Sequence, residues 1–348
     1  MKVKMISVVV PCYNEEPTIE EFYQRSQAVA DSLTQPRFEF IFVNDCSTDL
    51  TGSILNNLAA KDPSVKVLHL AQNRGHQIAL TAGLDLAFGD MIVTIDADLQ
   101  DPPELIHKML KKIEEGFDIV HAQRRHRKGE TRFKLLTAWL FYRLMRWFSN
   151  TAIIENCGDF RAFTLPVKAA ISAFRAPHRF LRGTFVQLGF QQCVIQYDRD
   201  ARYGGQTKYP FFKMLNLSID ALLGFSAVPI RIISFMSILL WAISLVYLIK
   251  SLIYHFIFKL TVPGWTSIVV LLFFFTGLIL FSIAIIGSYV GRIFIQGQRQ
   301  PLYWLSDARN IDPDRVLKSF GKLHEVRLSH AILKAKQQRH DGDETDRI

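Results

Sequence analysis

Along roughly the first 125 residues, short runs rich in β-branched and aromatic side chains alternate with polar, amphipathic stretches. The runs are ISVVV (6–10), FEFIFV (38–43), VKVLHL (65–70), MIVTI (91–95) and FDIV (117–120). Such alternation predicts a parallel sheet covered by helices. In open sheets of this kind ligands bind beyond the carboxyl ends of the strands, so the residues after each run are the ones to read for chemistry.

The second half of the chain has a different pattern. No charged residue occurs from Ile232 to Ile249 or from Leu260 to Gly291, and either stretch is long enough to cross a hydrocarbon core of about 30 Å. Two transmembrane helices are expected, at 229–258 and 263–291. Before them, Phe212, Leu215, Ile219 and Leu222 recur at helical spacing, which points to an amphipathic segment in the interface at 209–228, with a core-facing helix of the soluble domain as the alternative. The expected organisation is a soluble domain over 1–208, these three segments, and a tail over 292–348. Arg202, Lys208, Lys213 and Arg231 precede the first span and Arg292 and Arg299 follow the second. That bias places both termini on the cytoplasmic side of an integral inner-membrane protein.

Composition narrows the classes. Of 348 residues, 49% are apolar and 21% charged, which excludes disorder and fibrous repeats as overall descriptions. Lys and Arg outnumber Asp and Glu by 41 to 32, pointing to anionic partners. Cys12, Cys46, Cys157 and Cys193 are too scattered for a zinc cluster or a redox dithiol and read as reduced cytosolic thiols. The opening MKVKMISVVVPCYNEE has too short an apolar run for a signal peptide.

Three strand ends carry acids: Asn14-Glu15-Glu16 after the first run, Asp45 and Asp49 after the second, and Asp96-Ala97-Asp98-Leu99-Gln100-Asp101 after the fourth. Ser47 or Thr48 would serve equally as a helix cap, and Glu15 as an ordinary acid of a first helical turn. Asp96 and Asp98 are harder to explain without a cation, because two carboxylates aimed the same way from a strand end repel each other. A hard divalent ion shared with a diphosphate is the economical reading, with Gln100 able to add a carbonyl oxygen. Neither GxxxxGK[ST] nor a GxGxxG after the first strand is present, which disfavours P-loop NTPases and dinucleotide oxidoreductases.

Taken together, PCYNEE (11–16), VNDCSTD (43–49), NRGHQIALTAG (73–83) and DADLQDPPE (96–104) resemble the inverting, nucleotide-sugar-dependent glycosyltransferases of family 2. With GDFRAF (158–163), RYGGQTKY (202–209), the two expected spans and GRIFIQGQRQPLY (291–303), the resemblance narrows to polyprenyl-phosphate glycosyltransferases of the bactoprenol glucosyltransferase and dolichol-phosphate mannose synthase type, over about residues 5–305. It implies a GT-A fold, an α/β Rossmann-like, mainly parallel sheet, followed by the two transmembrane helices. It also implies transfer of a hexose, UDP-glucose being the favoured donor, to undecaprenyl phosphate. Mannose, N-acetylhexosamine and amino-arabinose are alternative sugars, and a non-catalytic sugar-nucleotide-binding scaffold is the alternative outside enzymes.

Residue by residue, the resemblance implies a nucleotide pocket from Pro11, Tyr13, Glu15, Asp45 and Asp96, and a Mg²⁺ or Mn²⁺ site from Asp96, Asp98 and Gln100. It implies an acceptor-phosphate site from Arg124, Arg132 or Lys134, Arg202 and Lys208. Catalytic roles fall to Asp98, Asp159, Arg202 and Lys208, with Asp159 a base or acceptor-orienting group and equally a structural partner of Arg161. Thr207 stands where the family has Ser, and Cys46 where it usually has Gly. Family relatives form homo-oligomers, but this sequence fixes no number.

Basic residues dominate 122–146, interleaved with Phe133, Trp139, Phe141 and Tyr142, which suits a surface gripping phosphates and lipid headgroups. Nucleic acid is not the expected partner, since no recognition motif accompanies the patch. A processive polysaccharide synthase is disfavoured, because Arg143-Leu-Met-Arg146-Trp147 only approximates its Gln-x-x-Arg-Trp string.

Overall fold

A computed structural model describes residues 2–125, 154, 157–176, 179, 181–198, 264–298 and 300–311, with scattered positions between 233 and 253. Arg132, Lys134, Arg202, Lys208, Thr207 and the 209–228 segment lie outside the described residues.

The predicted runs become β1 (Met5–Cys12), β2 (Arg37–Asn44), β3 (Val65–Leu70), β4 (Met91–Thr94) and β5 (Ile119–Arg124). Between them lie α1 (Ile19–Asp31), α2 (Thr51–Lys61), α3 (His76–Leu86) and α4 (Ile106–Glu114). Then come β6 (Cys157–Thr164), α5 (Leu165–Ala173), α6 (Leu181–Gln187) and β7 (Gln192–Tyr197). The last described elements are α7 (Trp265–Gly297) and β8 (Leu305–Arg309).

All eight strands join one sheet in the order β7-β5-β6-β4-β1-β2-β3-β8. β1 pairs in parallel with both β2 and β4, and β2 with β3, whereas β6 runs antiparallel to β4 and β5, and β8 antiparallel to β3. The chain thus forms the expected mainly parallel, mixed α/β sheet. Apolar residues of β1 go alternately to the two faces. Val8 and Val10 share one buried cluster with Phe22 of α1 and Leu55 of α2, and Val9 shares the other with Ala79 and Ala82 of α3. Burial on both faces is why these runs read as continuously apolar.

Two consequences of this order position the site. The connection leaves β1 toward β2 on one side and returns to β4 on the other, opening a crevice at the carboxyl ends of β1 and β4. β6, entering antiparallel, brings its first residues, Gly158 and Asp159, to that same end of the sheet.

The described residues divide into two units, one holding the sheet and the other the long helix α7. Among the described residues, one helix is long and apolar enough to cross a membrane, over Phe274–Gly297. It overlaps the second expected span but runs beyond Gly291, where no capping residue stops it. For the expected first span, the described positions are helical and all except half-buried Ile233 are exposed, among them Phe235, Leu239, Val246 and Ile253. The expected tail contains a regular element: Val67↔Arg309, Leu68↔Ala308 and His69↔Asp307 pair across β3 and β8. An antiparallel strand so short gives too weak an alternation to be read before its partner edge is known.

Candidate active site

The loops after β1 and β2 are tied to one another. The Asn14 backbone N–H donates to Ser47 Oγ at 3.0 Å, the Thr48 N–H donates to Asn14 Oδ1 at 2.9 Å, and the Glu15 N–H donates to Thr51 Oγ1 at 2.9 Å. Ser47 therefore joins two loops, and α2 begins without a side-chain cap. Pro11 is buried within β1, Tyr13 is exposed at its end, and Glu15 accepts a bond from Thr18 Oγ1 at 3.2 Å. Cys46 adopts a positive φ of 57°. The backbone thus keeps the left-handed conformation that glycine takes most easily, although a side chain is present.

Asp45, buried at the end of β2, accepts backbone N–H groups from Arg74 at 2.7 Å and Gly75 at 2.8 Å. Burial raises its pKa, and these two bonds oppose the rise. Its carboxylate therefore shapes the turn, Gly75 at φ 86°, that starts α3 and presents His76.

Four ionisable groups converge where β4, α3 and β6 meet. His76 Nε2 lies 3.0 Å from Asp159 Oδ2 and 3.6 Å from Asp96 Oδ1. Asp159 accepts a two-pronged contact from Arg182 of α6, at 3.0 Å from Nε and 2.7 Å from Nη2, and a further bond from Gln77 Nε2 at 3.3 Å. Burial would raise the Asp159 pKa, but Arg182 and His76 hold it well below the usual carboxylate range. Burial lowers the His76 pKa, and Asp96 and Asp159 more than reverse that, taking it up to about 9.

Asp96 is short of partners: Oδ1 is buried and makes no hydrogen bond. Burial, together with Asp159, Asp101 and Asp98, pushes its pKa up to about 6 against the pull of His76. Asp98, half-buried, accepts the Gln100 N–H at 3.1 Å through a turn in which Leu99 has φ 59°. No group of three or more His, Cys, Asp or Glu side chains is arranged as a cation cage among the described residues. A buried carboxylate oxygen that makes no hydrogen bond, beside a second carboxylate two residues along, fits a divalent ion that takes its remaining ligands from substrate phosphates and water.

Arg124 points inward from β5. Nη2 donates to both oxygens of buried Asp101, at 3.2 and 3.1 Å, and Nε donates to Tyr197 Oη at 3.1 Å, while the Tyr197 hydroxyl donates to Asp101. Gly158 leaves the room, since a Cβ there would stand 2.9 Å from Arg124 Nη2. Arg161, fully buried, donates to the Gly158 carbonyl at 2.7 Å and stacks on Phe185, with Nη2 still 3.7 Å from Asp159. The principal cation on Asp159 is Arg182. Nothing in LRGTFVQ marked it in the sequence, and Gln77, Asp101 and Tyr197 gave no sign of their contacts either.

A glycosyl transferase family 2 model matches residues 7–165. The chain is similar to an uncharacterized glycosyltransferase, YkcC, of Bacillus subtilis, with 41% identity over 312 residues covering 90% of this chain and 96% of the relative. It is also similar to the SfII prophage-derived bactoprenol glucosyl transferase of Shigella flexneri, with 36% identity over 308 residues covering 88% and 99%. Among solved structures, S. aureus TarS 1-349 in complex with UDP-GlcNAc aligns at 19% identity and a TM-score of 0.45, covering 64% of this chain and 67% of that one.

Proposed function

The chain belongs to glycosyltransferase family 2, alongside bactoprenol glucosyl transferases that it matches over most of their length, and from that premise we propose that it moves glucose from UDP-glucose to undecaprenyl phosphate or a similar polyprenyl phosphate. The observation that carries the proposal is the group of Asp96, Asp98, His76 and Asp159 at the crevice between β1 and β4, with one buried Asp96 oxygen that makes no hydrogen bond and meets only the His76 ring, at 3.6 Å. Pro11, Tyr13, Glu15 and Asp45 border the same crevice and suit a nucleotide.

Asp96, Asp98 and Gln100 would hold Mg²⁺ or Mn²⁺, which when bound neutralises charge on the donor diphosphate. In the reaction, an acceptor phosphate oxygen forms a bond to the anomeric carbon as the bond from that carbon to the diphosphate oxygen breaks. The electron pair leaves with the nucleoside diphosphate, and the configuration inverts. A phosphate monoester with a second pKa of about 6 is already mostly the dianion at neutral pH, so no strong base is needed. That agrees with the state of Asp159, which its cationic neighbours hold ionised and fully engaged. In this reading Asp159 orients His76 and Arg182 toward the phosphates. Arg124, Arg132 or Lys134, Arg202 and Lys208 serve the acceptor phosphate, and two spans with both termini cytoplasmic hold the site at the bilayer.

The test is transfer of label from a panel of UDP- and GDP-sugars into the lipid phase, with the full chain, undecaprenyl phosphate, and Mg²⁺ or Mn²⁺. UDP-glucose should be the working donor, and Asp98→Ala should lower the rate by at least about a hundredfold with the melting temperature retained. Transfer that persists in Asp98→Ala, or that ignores chelation of the metal, would remove the assignment.

A further inference from the structure

GRIFIQGQRQPLY (291–303) belongs to the family resemblance, yet none of it has a part in the chemistry above. Its end, from Pro301 on, is part of the sheet-bearing unit. The Leu302 carbonyl accepts Arg74 Nε at 3.0 Å, the Tyr303 hydroxyl donates to Asp85 Oδ2 at 2.8 Å, and the Trp304 carbonyl accepts the Ala71 N–H at 2.8 Å. Three consecutive residues thus grip a single segment at its start, in its loop and in the last turn of its helix.

That segment, from Ala71 through α3, carries His76 and Gln77 to Asp159. Its loop is held from the other side by Asp45, through the Arg74 and Gly75 N–H groups. Asp85 and Tyr303 are both buried, and Asp85 also takes two bonds from Arg175, each 2.8 Å. A buried hydroxyl–carboxylate bond weakens steeply when it is stretched or bent, so it restrains where the helix lies.

We infer that Tyr303 is a positioning residue: the Leu302–Trp304 strap sets the place of α3 and so the seat of His76 between Asp96 and Asp159. The inference rests on the proposed donor site. The rival role, simple stabilisation of the sheet edge by β8, belongs to contacts farther along the chain than the strap. Asn310 Nδ2, for instance, donates to the carbonyls of Ala59 at 2.6 Å and Val65 at 2.9 Å, far from α3.

The experiment compares Tyr303→Phe and Asn310→Ala in the full chain by amide hydrogen exchange and steady-state transfer from UDP-glucose. Tyr303→Phe should speed exchange across 71–86 by roughly three- to tenfold and lower kcat by a similar factor, leaving the acceptor KM unchanged. Asn310→Ala should lower the melting temperature and leave both the 76–86 exchange and kcat as in wild type. Faster exchange in Tyr303→Phe with wild-type kcat, or an equal loss of kcat in Asn310→Ala, would reduce the strap to a structural brace. Unchanged exchange at 71–86 in Tyr303→Phe overturns the inference whatever the kinetics. If the wild-type chain transfers no sugar from any donor, it is the proposed function that fails, and the strap is then judged on exchange alone.

Discussion

His121 sits directly across from Arg161 in the β5–β6 pair, wholly buried, with Nε2 at 2.9 Å from Gln192 Oε1. Burial, and then the Arg161 charge, lower its pKa to about 4. An unfolded histidine takes up a proton below about pH 6.5, whereas this one in the fold does so only near pH 4. Across that window the unfolded state binds more protons, so stability is present at neutral pH and is lost as pH falls from 6.5 toward 4, by on the order of 3 kcal/mol in full. His121→Gln should flatten this dependence, which melting curves at about pH 7 and about pH 4.5 would show as a smaller drop than in wild type. The histidine's sequence context, FDIVHAQR, marks a strand but carries no sign of an arginine opposite. Asp96 and Asp98 differ in this respect, since the repulsion expected of two acids on one strand end is readable from their spacing alone.

At the scale of elements, α3 links the most constraints. It lies so close to the sheet that a Cβ on Gly83 would stand 2.4 Å from Val9 Cγ1 and 3.0 Å from Val43 Cγ2. Its conformation does not require glycine, but its closeness to β1 and β2 does. Gly83→Ala should therefore push the helix outward and cost about 1–3 kcal/mol, as overpacked cores do. A fall of several degrees in melting temperature, with a larger proportional loss of transfer than of stability, is the expected result, because the same helix presents His76. A wild-type melting temperature would show that α3 can shift freely. The sequence made α3 legible as a helix near NRGHQIALTAG. It could not show that the far end of that helix meets Tyr303, more than two hundred positions along the chain.

For the whole molecule, the apolar stretch Phe274–Gly297 has 24 residues, about 36 Å of helix, enough for a hydrocarbon core of about 30 Å. Its large side chains, including Phe274, Leu280, Phe281, Ile283, Ile286 and Val290, are exposed, as lipid-facing residues are and as core residues of a water-soluble protein are not. The chain should sediment with membranes, resist extraction at alkaline pH and need detergent for release. Recovery in the supernatant after alkaline washing would rule out a spanning role for this helix.

The sequence by itself determined the order of β1 to β5 and the helices between them, the apolar helix, the family, and the motifs that line the candidate donor site. Each of these depends on neighbours in the chain, through periodicity, turn chemistry or a contiguous string, so local order suffices to read it. Tertiary structure alone decided that Arg182 and not Arg161 is the main cation on Asp159, that Arg124 is fixed by Asp101 and Tyr197, and that the expected tail adds β8 to the sheet and pins α3 through Tyr303. These contacts join residues with no shared period or motif. Which ones meet is set by the crossover that opens the sheet between β1 and β4 and by the antiparallel entry of β6 and β8, and both come from packing the whole chain at once.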